Sequence, residues 1–125
     1  RCGAGIEVVA APGRGFVELV EGDREATDEA ERTVRLAVAE MLARGADQIV
    51  LGCTHYPFLI PVLRRVVAGR GVEIVDPSPA VARRVVQLLD AGGLRCDPDR
   101  EPRYDFLTFA DEAYRLRLER KAFGR

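Results

Sequence analysis

The stretch "IVLGCTHYPFL", residues 49–59, carries the strongest fold signal of the chain, because an apolar run passes directly into Gly-Cys-Thr-His and a proline. A continuous apolar run of this length is typical of a strand that is buried on both faces of a parallel sheet. Pro57 and Pro61 suit the first turn of a helix, where a missing N–H group costs least. The stretch therefore predicts a strand that turns at Gly52 and runs into a helix.

Helix and strand signals alternate on both sides of this stretch. Upstream, Asp28 is the predicted N-cap of a helix, with Glu31 as its capping-box partner and Gly45 as the residue that ends it. Downstream, residues 72–76 predict a short strand, and Ser78 is expected to cap the helix that follows. The residues expected to face inward on that last helix are Val81, Val85, Val86, Leu88 and Leu89.

The two ends of the chain each predict one further strand. Residues 6–10 ("IEVVA") are expected to form a strand, and residues 16–23 to alternate weakly and end in a loop. Residues 104–109 ("YDFLTF") are expected to form the last strand, and residues 111–123 the closing helix. Because strands alternate with helices, the predicted fold class is α/β, with a parallel sheet and right-handed crossovers.

The composition excludes several classes of protein. A formal net charge of −1 argues against a nucleic-acid or anionic-membrane partner, and no segment approaches the roughly 20 apolar residues of a membrane span. Cys2, Cys53 and Cys96 are spaced too widely for a disulfide framework. Without a paired Cys-x-x-Cys motif, they are also not expected to form a zinc site with the single histidine. We therefore expect no bound metal and a cytoplasmic protein.

Cys53 and His55 follow the predicted strand, at the edge where ligands bind in open parallel sheets. The helix behind them is expected to direct free N–H groups at this point, which would stabilise a thiolate or a bound carboxylate. His55 adds a side chain of the type that exchanges protons near neutral pH. The alternative is ordinary packing, because cysteine is among the residue types that are most often buried. The residues alone leave both interpretations open.

The motif "GCTHYPFL", residues 52–59, resembles the second cysteine motif of the glutamate racemases. Residues 10–23, "AAPGRGFVELVEGD", are similar to the family segment that ends in a glutamate of the catalytic site. Residues 72–85, "VEIVDPSPAVARRV", resemble the family's next strand and helix start, and residues 104–124 its C-terminal strand and helix. The likeness covers nearly all of this chain and about the second half of a family enzyme.

The resemblance implies a racemase-type, flavodoxin-like α/β domain, with helices on both faces of the sheet, over residues 1–94. Residues 95–125 would then be a C-terminal strand and helix that pack on a first domain, which this chain lacks. The resemblance also implies a cofactor-independent enzyme that interconverts L- and D-glutamate and supplies D-glutamate for bacterial peptidoglycan. Without the first domain, the fragment is expected to be inactive.

The resemblance further assigns roles to individual residues. Cys53 matches one of two cysteines that exchange the α-proton of the substrate on opposite faces. His55 matches the proton-exchange partner of that cysteine, and Glu21 matches the carboxylate that orients the histidine. Thr54, His55 and Gly52 would bind the substrate. The family's first cysteine, in a Cys-Asn-Thr motif, does not occur in this chain.

The partners that the resemblance implies are a small-molecule substrate and the first domain of the same enzyme. A homodimer is a further expectation for the full-length protein. Three alternatives stay open. One is a racemase or isomerase of the same superfamily that acts on aspartate or another small substrate. The others are a hydrolase with a cysteine nucleophile, which would form a covalent acyl-enzyme, and a non-catalytic binding module.

Overall fold

The computed structural model describes residues 5–124, and these residues form two compact units whose boundary lies between Pro77 and Ser78. The elements of the first unit are α1 (Phe16–Glu21), α2 (Asp28–Ala43), β1 (Gln48–Val50), a 3₁₀ turn (Tyr56–Leu59), α3 (Ile60–Val66) and β2 (Glu73–Val75). Those of the second unit are α4 (Ser78–Ala91) and α5 (Glu112–Phe123). The domain boundary expected at residue 94 stays a prediction.

The strands β1 and β2 form a parallel pair, with Val50 opposite Val75. The helix α3 lies between them in the chain, as parallel neighbours require a crossover connection. The Leu51 N–H donates to the Val75 carbonyl at 3.1 Å, so pairing continues to the residue before Gly52. This β1–α3–β2 unit confirms the predicted α/β class, and it brings the Cys-Thr-His segment to the carboxyl end of a parallel strand.

The core of the first unit lies among α1, α2, α3 and β1. Its largest fully buried side chains are Leu19, Val20, Val34, Val38, Leu59, Val62 and Leu63. Burying an aliphatic side chain of this size stabilises a fold by about 1.5–3 kcal/mol. Because Leu19 and Leu59 belong to the same core, α1 and the 3₁₀ turn are held beside each other.

Residues 16–21 form a helix, where the sequence predicts a weakly alternating segment. Phe16, Leu19 and Val20 lie at helical spacing, and all three are buried. Gly15 precedes the helix in the left-handed conformation, with a φ of 79°, which glycine adopts without a steric penalty. The prediction is wrong because a helix of 6 residues is too short to show a helical period in the sequence.

The N-cap of α2 is Thr27 and not the predicted Asp28, because the Thr27 hydroxyl accepts a hydrogen bond from a first-turn N–H at 3.2 Å. Glu31 forms an ion pair with Arg35 at 2.7 Å instead of closing a capping box. Threonine and aspartate are both favoured at the N-cap position, so the sequence does not show which of these two adjacent residues caps the helix. Gly45 follows the end of α2 with a φ of 77°, as predicted.

Neither outer strand predicted from the sequence forms in the described part of the chain. Residues 6–10 line a cleft of about 850 Å³ together with β1 and do not pair with it. Residues 104–109 lie along α5, where the Phe106 and Phe123 rings meet with centroids 5.3 Å apart. A segment becomes a strand only when its backbone pairs in register with a free strand edge, and neither segment does so among residues 5–124, although one edge of β1 is free.

The predicted inward face of α4 is not buried within the second unit. The side chains of Val81, Val85, Val86 and Leu88 are exposed, and that of Leu89 is half-buried. The helix itself forms as predicted but begins at Ser78, the residue expected to cap it. An apolar stripe turns inward only where another element covers it, and in this unit α5 packs on residues 105–108 instead.

The predicted closing helix is confirmed as α5. Asp111 is its N-cap and accepts a hydrogen bond from the Tyr114 N–H at 2.8 Å. Gly124 follows its last turn with a φ of 66°. Among residues 5–124, no helix is both long enough and apolar enough to cross a membrane.

Candidate functional site

Cys53 lies two residues after Leu51, where the pairing of β1 ends, in the turn that leads into the 3₁₀ segment. The Tyr56 N–H donates to the Cys53 carbonyl at 3.1 Å, which closes the turn around the cysteine. The Cys53 side chain is half-buried, so it is neither sealed in the core nor fully solvated. This position differs from ordinary core packing, which was the alternative interpretation of the cysteine.

The structure brings the three predicted catalytic side chains together. The Cys53 Sγ lies 3.8 Å from the His55 Nδ1, within the range of a hydrogen bond to sulfur. On the other side of the ring, the His55 Nε2 lies 3.3 Å from the Glu21 Oε1. The histidine side chain is 26% exposed and the glutamate side chain 35%. We call this arrangement of Cys53, His55 and Glu21 the thiol relay.

The geometry of the thiol relay determines what proton chemistry it supports. When the His55 Nε2 donates its hydrogen to the Glu21 carboxylate, the Nδ1 keeps a lone pair that faces the thiol. That nitrogen can then accept the thiol proton, and the carboxylate stabilises the imidazolium that results. The same path in reverse returns a proton to the sulfur. The relay therefore supports both a thiolate that accepts a proton and a thiol that donates one.

Glu21 reaches His55 because α1 is fixed along its length by buried side chains. Leu19 and Val20 bury the middle of the helix in the core. At its start, the Phe16 ring meets the Tyr56 ring edge-on, with centroids 5.1 Å apart. Sequence reasoning did not single out Phe16 or Tyr56, since a pattern does not show which aromatic residues from distant segments meet.

Two amides at the start of the following helix are occupied within the turn, and the anion site expected beside Thr54 stays a prediction. The Tyr56 N–H donates to the Cys53 carbonyl, and the Phe58 N–H donates to the His55 carbonyl at 3.2 Å. Pro57 has no N–H group. The helix starts as a tight 3₁₀ turn that satisfies its own first donors, so these amides do not point at a ligand.

The residues beside the thiol relay leave room for a ligand. Thr54 is exposed next to Cys53. Gly52 is also exposed, and a Cβ added there would meet no other atom within 4 Å. Gly52 does not adopt a positive φ, so the turn does not depend on glycine for backbone reasons. The 850 Å³ cleft reaches Gly52 and Tyr56.

Of the two other cysteines of the chain, the structure describes one. Cys96 is exposed in the second unit, 3.9 Å from a nitrogen of Arg100. Cys2 lies outside the described residues. Within residues 5–124, no three His, Cys, Asp or Glu side chains come together in a group that could hold a metal ion.

Comparison with known proteins adds an independent line of evidence. The family described as Asp/Glu/Hydantoin racemase matches residues 2–85. The glutamate racemase of Deinococcus radiodurans is 39% identical over 111 residues, which are 89% of this chain and 38% of that protein. The glutamate racemase of Roseiflexus sp. is 43% identical over 94 residues, which are 75% of this chain and 34% of that protein.

One solved structure extends the likeness to three dimensions. The crystal structure of glutamate racemase from Thermus thermophilus, in complex with beta-chloro-D-alanine, matches with a TM-score of 0.69 at 34% identity. The match covers 85% of this chain and 40% of that one. The chain therefore spans little more than a third of the two curated relatives, at 38% and 34% of their lengths.

Proposed function

Because the chain belongs to the Asp/Glu/hydantoin racemase family, we propose that it is part of a glutamate racemase that interconverts L- and D-glutamate. The resemblance predicted from residues 52–59 and their flanks is confirmed, and so is the racemase-type α/β fold. The relatives named glutamate racemase are longer than this chain, which spans 38% of the first and 34% of the second. The activity therefore belongs to a longer protein of which this chain is one part.

The observation that carries the proposal is the thiol relay, with the Cys53 Sγ 3.8 Å from His55 Nδ1 and the His55 Nε2 3.3 Å from Glu21 Oε1. In one direction the Cys53 thiolate removes the α-proton of glutamate. The C–H bond breaks, its electron pair stays on carbon as a carbanion, and an S–H bond forms. In the other direction the Cys53 thiol donates its proton to the carbanion and becomes a thiolate. His55 takes up or returns this proton between turnovers.

Racemisation needs a second proton-transfer group on the opposite face of the α-carbon. A single group would return the proton to the face from which it was taken, and the configuration would not change. A cysteine of the first domain supplies this second group in the proposed mechanism. The 125-residue chain alone is therefore inactive as a racemase, since it holds one of the two faces.

Thr54, Gly52 and His55 hold the substrate in this proposal. The exposed Thr54 hydroxyl is suited to donate a hydrogen bond to a substrate carboxylate next to Cys53. The open space at Gly52 lets the substrate approach the sulfur closely. The product, D-glutamate, serves peptidoglycan synthesis in the cytoplasm.

The full-length enzyme that contains this chain provides the test. Cys53→Ser is expected to abolish racemisation in both directions. The assay measures the change in circular dichroism of L-glutamate and D-glutamate solutions over time. Cys96→Ser is the matched control, because Cys96 is the other free cysteine of the described residues and lies in the second unit. Full racemisation by the Cys53→Ser enzyme would overturn the proposal. A substrate panel with aspartate decides between glutamate and the nearest alternative substrate.

A further inference from the structure

Two residues, Gly13 and Phe16, pack closely against Tyr56 beside the thiol relay. The Phe16 and Tyr56 rings meet at an interplanar angle of 74°, with centroids 5.1 Å apart. A Cβ added at Gly13 would lie 2.6 Å from the Tyr56 hydroxyl oxygen and 2.8 Å from Phe16 Cδ2. Real Cβ atoms do not come this close to neighbouring atoms, so the backbone at Gly13 touches both rings because it has no side chain.

These contacts attach the 3₁₀ turn to α1 at a second point. The first is the contact between Glu21 and His55, at the C-terminal end of the helix. The second is the contact between Phe16 and Tyr56, at its N-terminal end, about 7.5 Å away along the axis at 1.5 Å per residue. Because His55 and Tyr56 are neighbours in the chain, two separate attachments prevent the turn from rotating about either one.

We propose that Tyr56 is a positioning residue for the thiol relay, and this proposal rests on the racemase function proposed above. The Tyr56 ring, held between Gly13 and Phe16, sets the direction of the turn. The turn in turn sets the His55 ring between Cys53 and Glu21. Tyr56 does not transfer a proton itself. A loss of alignment of about 1 Å at such a site costs up to about a hundredfold in rate.

Tyr56→Leu in the full-length enzyme removes the ring but keeps an apolar side chain. We expect kcat to fall about tenfold to a hundredfold, with little change in KM, because alignment is lost while substrate binding is kept. Tyr56→Phe keeps the ring and its contact with Phe16, so its kcat is expected to stay close to that of the parent enzyme.

An isotope effect separates positioning from general damage. When the Cys53 step becomes slower, the α-deuterium isotope effect rises for the enantiomer whose proton Cys53 removes, and it does not rise for the other enantiomer. Val38→Ala is the stability control. It removes buried volume from the core on α2 and lowers the unfolding midpoint, but it is expected to leave kcat and both isotope effects unchanged.

Gly13→Ala provides an independent variant if Tyr56→Leu does not fold. Gly13 does not have a positive φ, so alanine adds no backbone strain, and its methyl group displaces the two rings. Its kcat is expected to fall in the same way. The kcat of the double variant Gly13→Ala/Tyr56→Leu should be no lower than that of the slower single variant, because both substitutions disrupt the same contact.

The outcomes distinguish this proposal from the one on which it rests. The role of Tyr56 is overturned if the Tyr56→Leu enzyme keeps the kcat of the parent enzyme. If Tyr56→Leu does not fold, an unchanged kcat in Gly13→Ala has the same meaning. The racemase function stays intact in both cases when the Cys53→Ser enzyme is inactive. An equally slow Tyr56→Phe enzyme also overturns this role of Tyr56, since the hydroxyl and not the ring would then matter. A rise in KM at constant kcat does the same, because Tyr56 would then bind substrate. An active Cys53→Ser enzyme overturns the function itself.

Discussion

Replacing Glu21 by glutamine removes the charge that faces His55 while it keeps the size of the side chain. At the observed separation of 3.3 Å, two unit charges attract by about 1.3 kcal/mol in water and by about 5 kcal/mol at an effective dielectric constant of 20. The two side chains are 26% and 35% exposed, so solvent screens the pair and the lower figure is the better guide. A loss of about 1 kcal/mol of imidazolium stabilisation lowers the rate about fivefold.

The assay compares initial rates of the full-length enzyme in both directions. The values of kcat/KM must fall by the same factor in each direction, because L- and D-glutamate are equally stable. Glu18→Gln is the matched control, since Glu18 lies on the same helix α1 and is exposed. Added salt should narrow the difference between the parent and Glu21→Gln enzymes. An unchanged rate in Glu21→Gln, or an equal loss in Glu18→Gln, would refute a contact-specific role for the carboxylate.

Two further predictions concern stability. Thr27→Ala should lower the free energy of unfolding by about 1 kcal/mol, because it removes the N-cap hydrogen bond of α2. Asp28→Ala should lower it less, and urea unfolding measures both variants. A larger loss for Asp28→Ala than for Thr27→Ala would show that Asp28 is the cap. Leu63→Ala should lower the free energy of unfolding by about 2–5 kcal/mol, because loss of this fully buried side chain leaves a cavity. Leu36→Ala, at an exposed site of α2, should change the free energy of unfolding little. Equal shifts of the urea midpoint in the two variants would contradict the described core.

The elements that the sequence predicts correctly are those with local signals. The apolar run before Gly52 and the run at 72–76 both contain a strand, β1 and β2, and Gly45 ends α2. The elements that it misplaces depend on a neighbour. Residues 6–10 and 104–109 are rich in the apolar residues of strands, but a local pattern does not reveal whether a segment pairs in register with a strand edge.

The candidate site divides in the same way. Cys53 and His55 stand two residues apart, so their contact follows from local geometry. Glu21 approaches them only because buried residues fix α1 beside the turn, and the residues alone did not indicate this; the family resemblance did. The role of Tyr56 depends on Gly13 lying against its ring, a close approach that composition and spacing do not encode.

The open space at Gly52 means that one substitution at this position can affect stability and activity in opposite directions. Exchange of this glycine for alanine restricts the unfolded chain and meets no obstacle in the folded one, which favours the folded state by about 0.4–1 kcal/mol. In the proposed site, however, the added methyl group would narrow the space through which the substrate approaches the sulfur of Cys53. We therefore expect Gly52→Ala to raise the denaturant midpoint and to lower kcat. A screen for stability alone would then favour a variant that is less active.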